Sequence, residues 1–210
     1  MKLKRRYDER HLFEAGVDEA GRGCLAGDVY AAAVVFPADY ENEEINDSKK
    51  LSAQKRELLA KEIREKALAV GLGIATVDEI DKINILNAAM LAMKRALDEV
   101  RKQVAIDFII VDGNRFPGVD YANHRTIVKG DANYLSIAAA SIIAKTERDK
   151  AMRKLAKEYP CYGWDVNAGY PTKKHREAIK ENGVSQWHRK SFTLLPDERA
   201  VRKVKGGSIN

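Results

Sequence analysis

The chain has 210 residues, enough for one domain with a full core and a smaller appendage but too few for two large domains. Hydrophobic residues make up 45% and charged residues 32%, and no run approaches the roughly 18 apolar residues of a membrane helix, so a globular protein without membrane spans is expected. The formal net charge of +6 is carried at one end: from Lys145 to Asn210 there are 16 Lys and Arg against 8 Asp and Glu, while the rest of the chain is slightly acidic.

Met1 to Tyr7 is basic but runs into Asp8-Glu9-Arg10 and not into an apolar segment, so no signal peptide is read there and a cytoplasmic location is expected. Cys24 and Cys161 have no partners at metal-ligand spacing, which predicts free thiols in a reducing compartment. Leu12 to Asp18 reads as a first strand and Val29 to Phe36 as a second, apolar enough to lie inside a sheet. Between them lies Gly16-Val17-Asp18-Glu19-Ala20-Gly21-Arg22-Gly23-Cys24-Leu25-Ala26-Gly27. Successive strand side chains point to opposite faces, so Asp18 and Glu19 are expected to share a metal-sized space only if the strand ends there and the chain bends. Gly21 and Gly23 permit that bend and a close approach of backbone to a ligand, and Arg22 offers forked donors to phosphate or sugar oxygens. Taken alone, the segment reads first as an ordinary solvated turn after a strand.

Ser52 is placed to cap a helix running to about Leu68, with Leu58, Leu59, Ile63 and Ala67 as its buried stripe. Ser52-Ala53-Gln54-Lys55 also matches the Ser-x-x-Lys string of penicillin-recognising enzymes, but the companion motifs are missing and a capped helix accounts for it. Ala69 to Val77 is strand-like, and Leu86, Ala89, Met90, Met93 and Leu97 repeat at helical spacing up to Val100. Asp107 to Val111 is a central strand that ends in Asp112-Gly113, where a carboxylate meets a loop. Arg125 to Lys129 is a short strand closing at Gly130-Asp131, and Ala132 to about Tyr159 is a long helix, buried at its start and solvated at its end. Alone, Asp112-Gly113 is a plain turn and Asp131 a helix cap.

The remaining tail alternates aromatic and basic residues around a helix from Lys173 to Lys180, a pattern suited to stacking on sugars or bases and gripping phosphates. A basic final third beside a carboxylate-bearing front portion fits an enzyme acting on nucleic acid. Asp18 with Glu19, Asp112 and Asp131 all fall at predicted strand ends or a strand-to-helix junction, and hard divalent ions such as Mg²⁺ or Mn²⁺ prefer such oxygen donors. His11, His124, His175 and His188 are scattered singly, which disfavours zinc chemistry.

Five strings in order resemble bacterial ribonuclease HII: Gly16 to Gly23, Asp47-Ser48-Lys49-Lys50-Leu51-Ser52, Val128 to Asp131 followed by Ser136 to Lys145, Gly169 to His175, and His188 to Phe192. The resemblance covers roughly residues 12–192. It implies an α/β, ribonuclease H-like fold: a central mixed β-sheet flanked by helices, with a C-terminal helical appendage that closes over the duplex. Residues 1–11 are then a basic N-terminal tail, 12–158 the catalytic core and 159–210 the substrate-covering segment. The resemblance further implies Asp18, Glu19, Asp112 and Asp131 as catalytic metal ligands for two Mn²⁺ or Mg²⁺ ions. Gly21, Arg22 and Gly23 match the loop that contacts the ribonucleotide 2′-OH, and Tyr170 matches the tyrosine packing on the following deoxyribose. Lys49, Lys50 and Lys145 match basic positions where phosphate contact or simple solvation are both open.

The implied activity is hydrolysis of the RNA strand of RNA–DNA hybrids and nicking 5′ of single ribonucleotides embedded in duplex DNA, leaving 3′-OH and 5′-phosphate ends. A monomer with no membrane partner is expected. Two departures, Cys24 and Asp28 where that family commonly has proline, predict a more mobile loop and an added carboxylate near the site. The alternatives are a related nuclease of other substrate choice, such as ribonuclease HIII or a junction resolvase, and a non-catalytic hybrid-binding module. Ribonuclease HIII is disfavoured because the first predicted strand begins by about Leu12, leaving no room for that family's extra N-terminal domain. The basic segment from Arg199 to Lys205 reads as a solvated helix end or an extra duplex contact.

Overall fold

A computed structural model describes residues 2–46, 48–116 and 123–196; the segment from Arg199 to Lys205 lies outside them. Five strands, β1 (Glu14–Ala20), β2 (Val29–Val35), β3 (Ala69–Ala75), β4 (Phe108–Asp112) and β5 (His124–Ile127), form one sheet in the order β3-β2-β1-β4-β5. The first three are antiparallel neighbours, whereas β4 and β5 run parallel to β1, so the sheet is mixed as expected.

The helices α1 (Ala53–Lys66), α2 (Val77–Arg101) and α3 (Leu135–Glu158) cover the sheet, and α4 (Trp164–Asn167) and α5 (Lys173–Asn182) form the appendage. One sheet face packs Ala15, Val17, Ala31 and Ala33 against α2 through Ala89, Met93 and Leu97. The other packs Ala32 and Val34 against α1 and the apolar first half of α3. A third cluster joins Met152 and Ala156 at the end of α3 to Trp164, Ile179 and Leu194, with Leu25 and Ala26 of the glycine loop buried among them. The appendage is thus fused to that loop.

Several boundaries differ from the sequence expectation. Ser52 caps α1 as predicted, but Leu58 is exposed; Leu59, Ala60 and Ile63 make the buried face. Helix α2 begins at Val77, ahead of Leu86, because Thr76 and Glu79 form a capping box. It breaks at Asn84 (φ 66°, ψ 163°), whose Oδ1 accepts from the Leu86 and Asn87 amides and restarts the helix where the apolar repeat begins. Residues 2–11 are not a loose tail. The Lys4 and Leu135 backbones exchange hydrogen bonds with Asn133 and Lys4, and buried Glu14 accepts from the Tyr7 and Asp8 amides. Among the described residues no helix is long and apolar enough to cross a membrane.

Candidate active site

Strand β1 does not end at Asp18; it continues through Glu19 to Ala20, paired with β2. The carboxylates converge for a different reason. Val17 pairs with Val111, so the next step along both parallel strands sets Asp18 beside Asp112, and β4 stops there. Beyond that stop the sheet is open on one side of β1, and side chains leaving opposite faces reach the same space. Asp18, Glu19 and Asp112 line one cleft of about 480 Å³ together with Gly21, Arg22, Gly23, Lys49, Lys145 and Tyr170. Lys50 is exposed and does not line it.

Asp131 sits in a 3₁₀ turn (Gly130–Ala132), buried, with Lys49 Nζ 3.6 Å from its carboxylate. It is not the cap of α3, whose N-cap is Tyr134 without a side-chain bond. Lys129 turns the chain in a left-handed conformation (φ 58°), and the Gly130 amide donates to Asp112 Oδ1 at 2.7 Å, holding the two acids' segments together.

Burial and mutual repulsion act on Asp18, Glu19 and Asp112 together. Burial, then the Glu19 and Asp112 charges, push Asp18 well above the usual carboxylate range. Burial also raises Glu19, against the opposing pull of Arg22 at 3.0 Å, and raises Asp112 together with the Asp131 charge. Among the described residues no three Asp, Glu, His or Cys side chains are closed into a ready cage. The donor set nevertheless fits a hard divalent ion: all oxygen, excess negative charge, and room for waters and phosphate oxygens to complete the coordination. Ser141 hydrogen-bonds Asp18 and, at 2.9 Å, Ser48. Lys145 is not a freely solvated lysine; Asp149 holds it at 2.6 Å, and its Nζ lies 5.5 Å from the Tyr170 ring centre.

The glycine loop faces the acids across the cleft. A Cβ on Gly21 (φ +99°) would meet Arg148 Nε at 2.1 Å, so both conformation and packing require glycine. At Gly23 a Cβ would meet no protein atom within 4 Å, so packing gives no reason for the glycine there.

Two residues that sequence reasoning missed hold this rim. Arg148, on α3, donates to the carbonyls of Asp28, Ala26 and Ala168 at 2.8–3.1 Å. Arg189 donates twice to the Gly27 carbonyl and once to that of Arg22, at 2.7–3.0 Å. Both are fully buried, among the described residues neither has a salt-bridge partner, and burial pulls Arg189 down to about 10. Arg189 lies within the His188 to Phe192 string, whereas nothing in the sequence around Arg148 sets it apart from the other basic residues of α3. Asp28 does not line the cleft; its carboxylate accepts from the Val77 amide at the start of α2 at 2.9 Å, beside the Thr76 cap, so it adds no carboxylate to the site. Cys24 is buried, and the loop that lacks prolines is pinned by the two guanidinium groups.

The tail also differs from expectation. Tyr162 and Trp164 are buried, and among the aromatic residues of the tail Tyr170 is the one that lines the cleft. His175 and His188 are not scattered: both are fully buried, with Nε2 atoms 3.2 Å apart. Tyr162 and Trp164 pack in the appendage core and Arg176 and Arg189 bind carbonyls, whereas Lys173, Lys174, Lys180 and Lys190 are exposed.

A family model described as Ribonuclease HII matches residues 15–195. The chain is 55% identical over 192 residues to the ribonuclease HII of Parabacteroides distasonis, covering 91% of this chain and 96% of that one. Among solved structures, ribonuclease H2 from Pyrococcus horikoshii superposes with a TM-score of 0.72 at 27% identity, over 93% of this chain and 99% of that one. Bst-RNase HIII in complex with Mn²⁺ shares the fold at a TM-score of 0.71 and 18% identity, over 92% of this chain and 71% of that one. The match takes in all five strands but the first residue of β1, together with the glycine loop and the appendage, and this chain belongs to the ribonuclease HII family, metal-dependent endoribonucleases acting on the RNA of RNA–DNA hybrids.

Proposed function

We propose that the protein nicks on the 5′ side of single ribonucleotides embedded in duplex DNA, as well as cutting continuous RNA–DNA hybrids, and leaves 3′-OH and 5′-phosphate ends. The observation that carries this reading is the shared cleft: metal-suited carboxylates on one wall, and on the other a glycine loop whose Gly23 is open toward the cleft, with Tyr170 beside it. The 2′-OH is the feature that separates RNA from DNA at one nucleotide, so an enzyme that finds one ribonucleotide in DNA must read it locally. A bare backbone is suited to that task because amide and carbonyl groups reach the hydroxyl with no side chain between.

Asp18, Glu19, Asp112 and Asp131 are assigned as ligands of one or two Mg²⁺ or Mn²⁺ ions. Bound there, the ions supply Lewis-acid activation of water and charge neutralisation at the leaving oxygen. The chain's own groups do the rest. Ser141 orients Asp18, Gly130 orients Asp112, and Lys145 and Lys49 are placed for the flanking phosphates. Arg22, paired with Glu19 at 3.0 Å, would be free to turn to the substrate if a cation were to neutralise that carboxylate. The Tyr170 ring, 40% exposed, provides the apolar face for the deoxyribose that follows the ribonucleotide.

The test is cleavage of end-labelled duplex DNA carrying one internal ribonucleotide, with Mg²⁺, with Mn²⁺ and with chelator, beside an all-RNA hybrid. A metal-dependent cut immediately 5′ of the ribonucleotide is expected. Cutting of the all-RNA hybrid alone would remove the junction-reading roles of Gly23 and Tyr170 while leaving the metal assignment.

A further inference from the structure

The two buried histidines form a chain whose direction is fixed by groups that can act in one sense only. The Ser185 amide donates to His188 Nδ1 at 2.9 Å, so Nδ1 carries no proton and Nε2 does. The Trp164 indole donates to His175 Nε2 at 2.9 Å, so that atom is an acceptor. The contact between the rings, longer at 3.2 Å, therefore runs from His188 Nε2–H to His175 Nε2, whose single lone pair it shares with the indole N–H. His175 keeps its proton on Nδ1 and donates it, at 2.9 Å, to the carbonyl of Tyr170, which can only accept. Three independent one-way groups agree on one pair of tautomers.

The ends of this chain lie on the two halves of the substrate-reading rim. His188 is bridged to Ala26, and the Gly27 amide donates to the neighbouring Trp187 carbonyl, so one end moves with the glycine loop. The other end holds the peptide that carries the Tyr170 ring into the cleft. We propose that His175 and His188 are positioning residues that set Tyr170 relative to the Gly21–Gly23 loop through a directional, fully buried hydrogen-bond chain. The proposal rests on the reading of Tyr170 as a substrate contact. Burial favours the neutral rings that the chain requires, lowering His175 below its ordinary value and His188 to about 4.

The tautomers are tested on the unmodified protein by nitrogen-15 NMR of the imidazoles at neutral pH. His175 protonated at Nδ1 and His188 at Nε2 are expected; either opposite tautomer overturns the proposal. The functional arm compares kcat/KM on a single-ribonucleotide duplex with kcat/KM on an all-RNA hybrid. His175→Asn keeps an N–H near the Nδ1 position, whereas His175→Gln moves the amide to the Nε2 position and leaves the Tyr170 carbonyl without that donor. The ratio is expected to fall about fivefold in His175→Gln and to return to within about twofold in His175→Asn, the scale of one lost hydrogen bond. If His175→Gln leaves the ratio unchanged while Tyr170→Ala collapses it, the positioning role is wrong and the reading of Tyr170 stands. If Tyr170→Ala also leaves it unchanged, that reading fails and takes the proposal with it.

Discussion

The acidic wall and the reading rim of the cleft are built by opposite means. Asp18, Glu19 and Asp112 are placed by strand register within one sheet, on rigid elements, and their mutual repulsion is only partly offset, chiefly by Arg22 on Glu19. The rim is irregular backbone from two distant parts of the chain, fixed by side chains that spend their donors on its carbonyls: Arg148, Arg189 and His175. Charge strain on one wall and hydrogen-bond saturation on the other suit the two tasks. On the proposed function a cation would relieve the first, and a loop that reads one hydroxyl would have to be held still.

The comparison is broken most severely at Asp112. Asp112→Asn is expected to lower kcat by about a thousandfold, on the order of 4 kcal/mol, with hybrid binding largely kept. The same variant should be more stable than the parent in chelator, because it removes a buried charge repelled by its neighbours. Turnover and thermal unfolding measured side by side would expose a site that is not anionic-strained if both fall together.

On the rim, Arg148→Lys replaces a fork serving three carbonyls with a single ammonium, and a loss of about 3 kcal/mol in urea unfolding is expected. Its kcat/KM should fall further on the single-ribonucleotide duplex than on the hybrid. Equal losses on both substrates would mean that the guanidinium serves the fold and not the reading of the junction.

The histidine chain makes the rim acid-sensitive in a calculable direction. An unfolded chain protonates His188 near its ordinary 6.5, whereas the folded protein resists until about 4, so folding loses stability as pH falls through that window. The contribution is intact above 6.5 and lost below about 4, and it amounts to at most about 3 kcal/mol. The raised carboxylates titrate with the opposite sign, so the informative quantity is the difference between the parent and His188→Asn at each pH. A difference that does not change between pH 7 and pH 4 would show that this ring is not held neutral.

The smallest effect on the fold is expected at Gly23. Gly23→Ala should leave the unfolding midpoint within about 0.5 kcal/mol of the parent, since a Cβ there meets no protein atom. Its KM on the single-ribonucleotide duplex should nevertheless rise severalfold, while Gly21→Ala, which collides with Arg148, destabilises outright. Unchanged KM in a well-folded Gly23→Ala would mean that substrate does not approach this backbone.

Local sequence determined the acidic wall. An apolar run ending in Asp112-Gly113 and another carrying Asp18-Glu19 are legible because strand formation and burial are set by a few consecutive residues, although β1 runs on to Ala20 and does not end at Asp18. The Ser52 cap was legible for the same reason, and the Thr76-x-x-Glu79 box that starts α2 was equally local although the apolar repeat drew attention to its second half. Tertiary structure alone decided which face each acid uses, because the step that sets Asp18 beside Asp112 is a register between strands some ninety residues apart. It alone brought Asp28 to the Val77 amide at the start of α2 and drew His175 and His188 into contact. Arg148 and Arg189 show the same limit: a buried arginine and a solvated one are identical in sequence, and what separates them is the set of carbonyls that the fold happens to bring within reach.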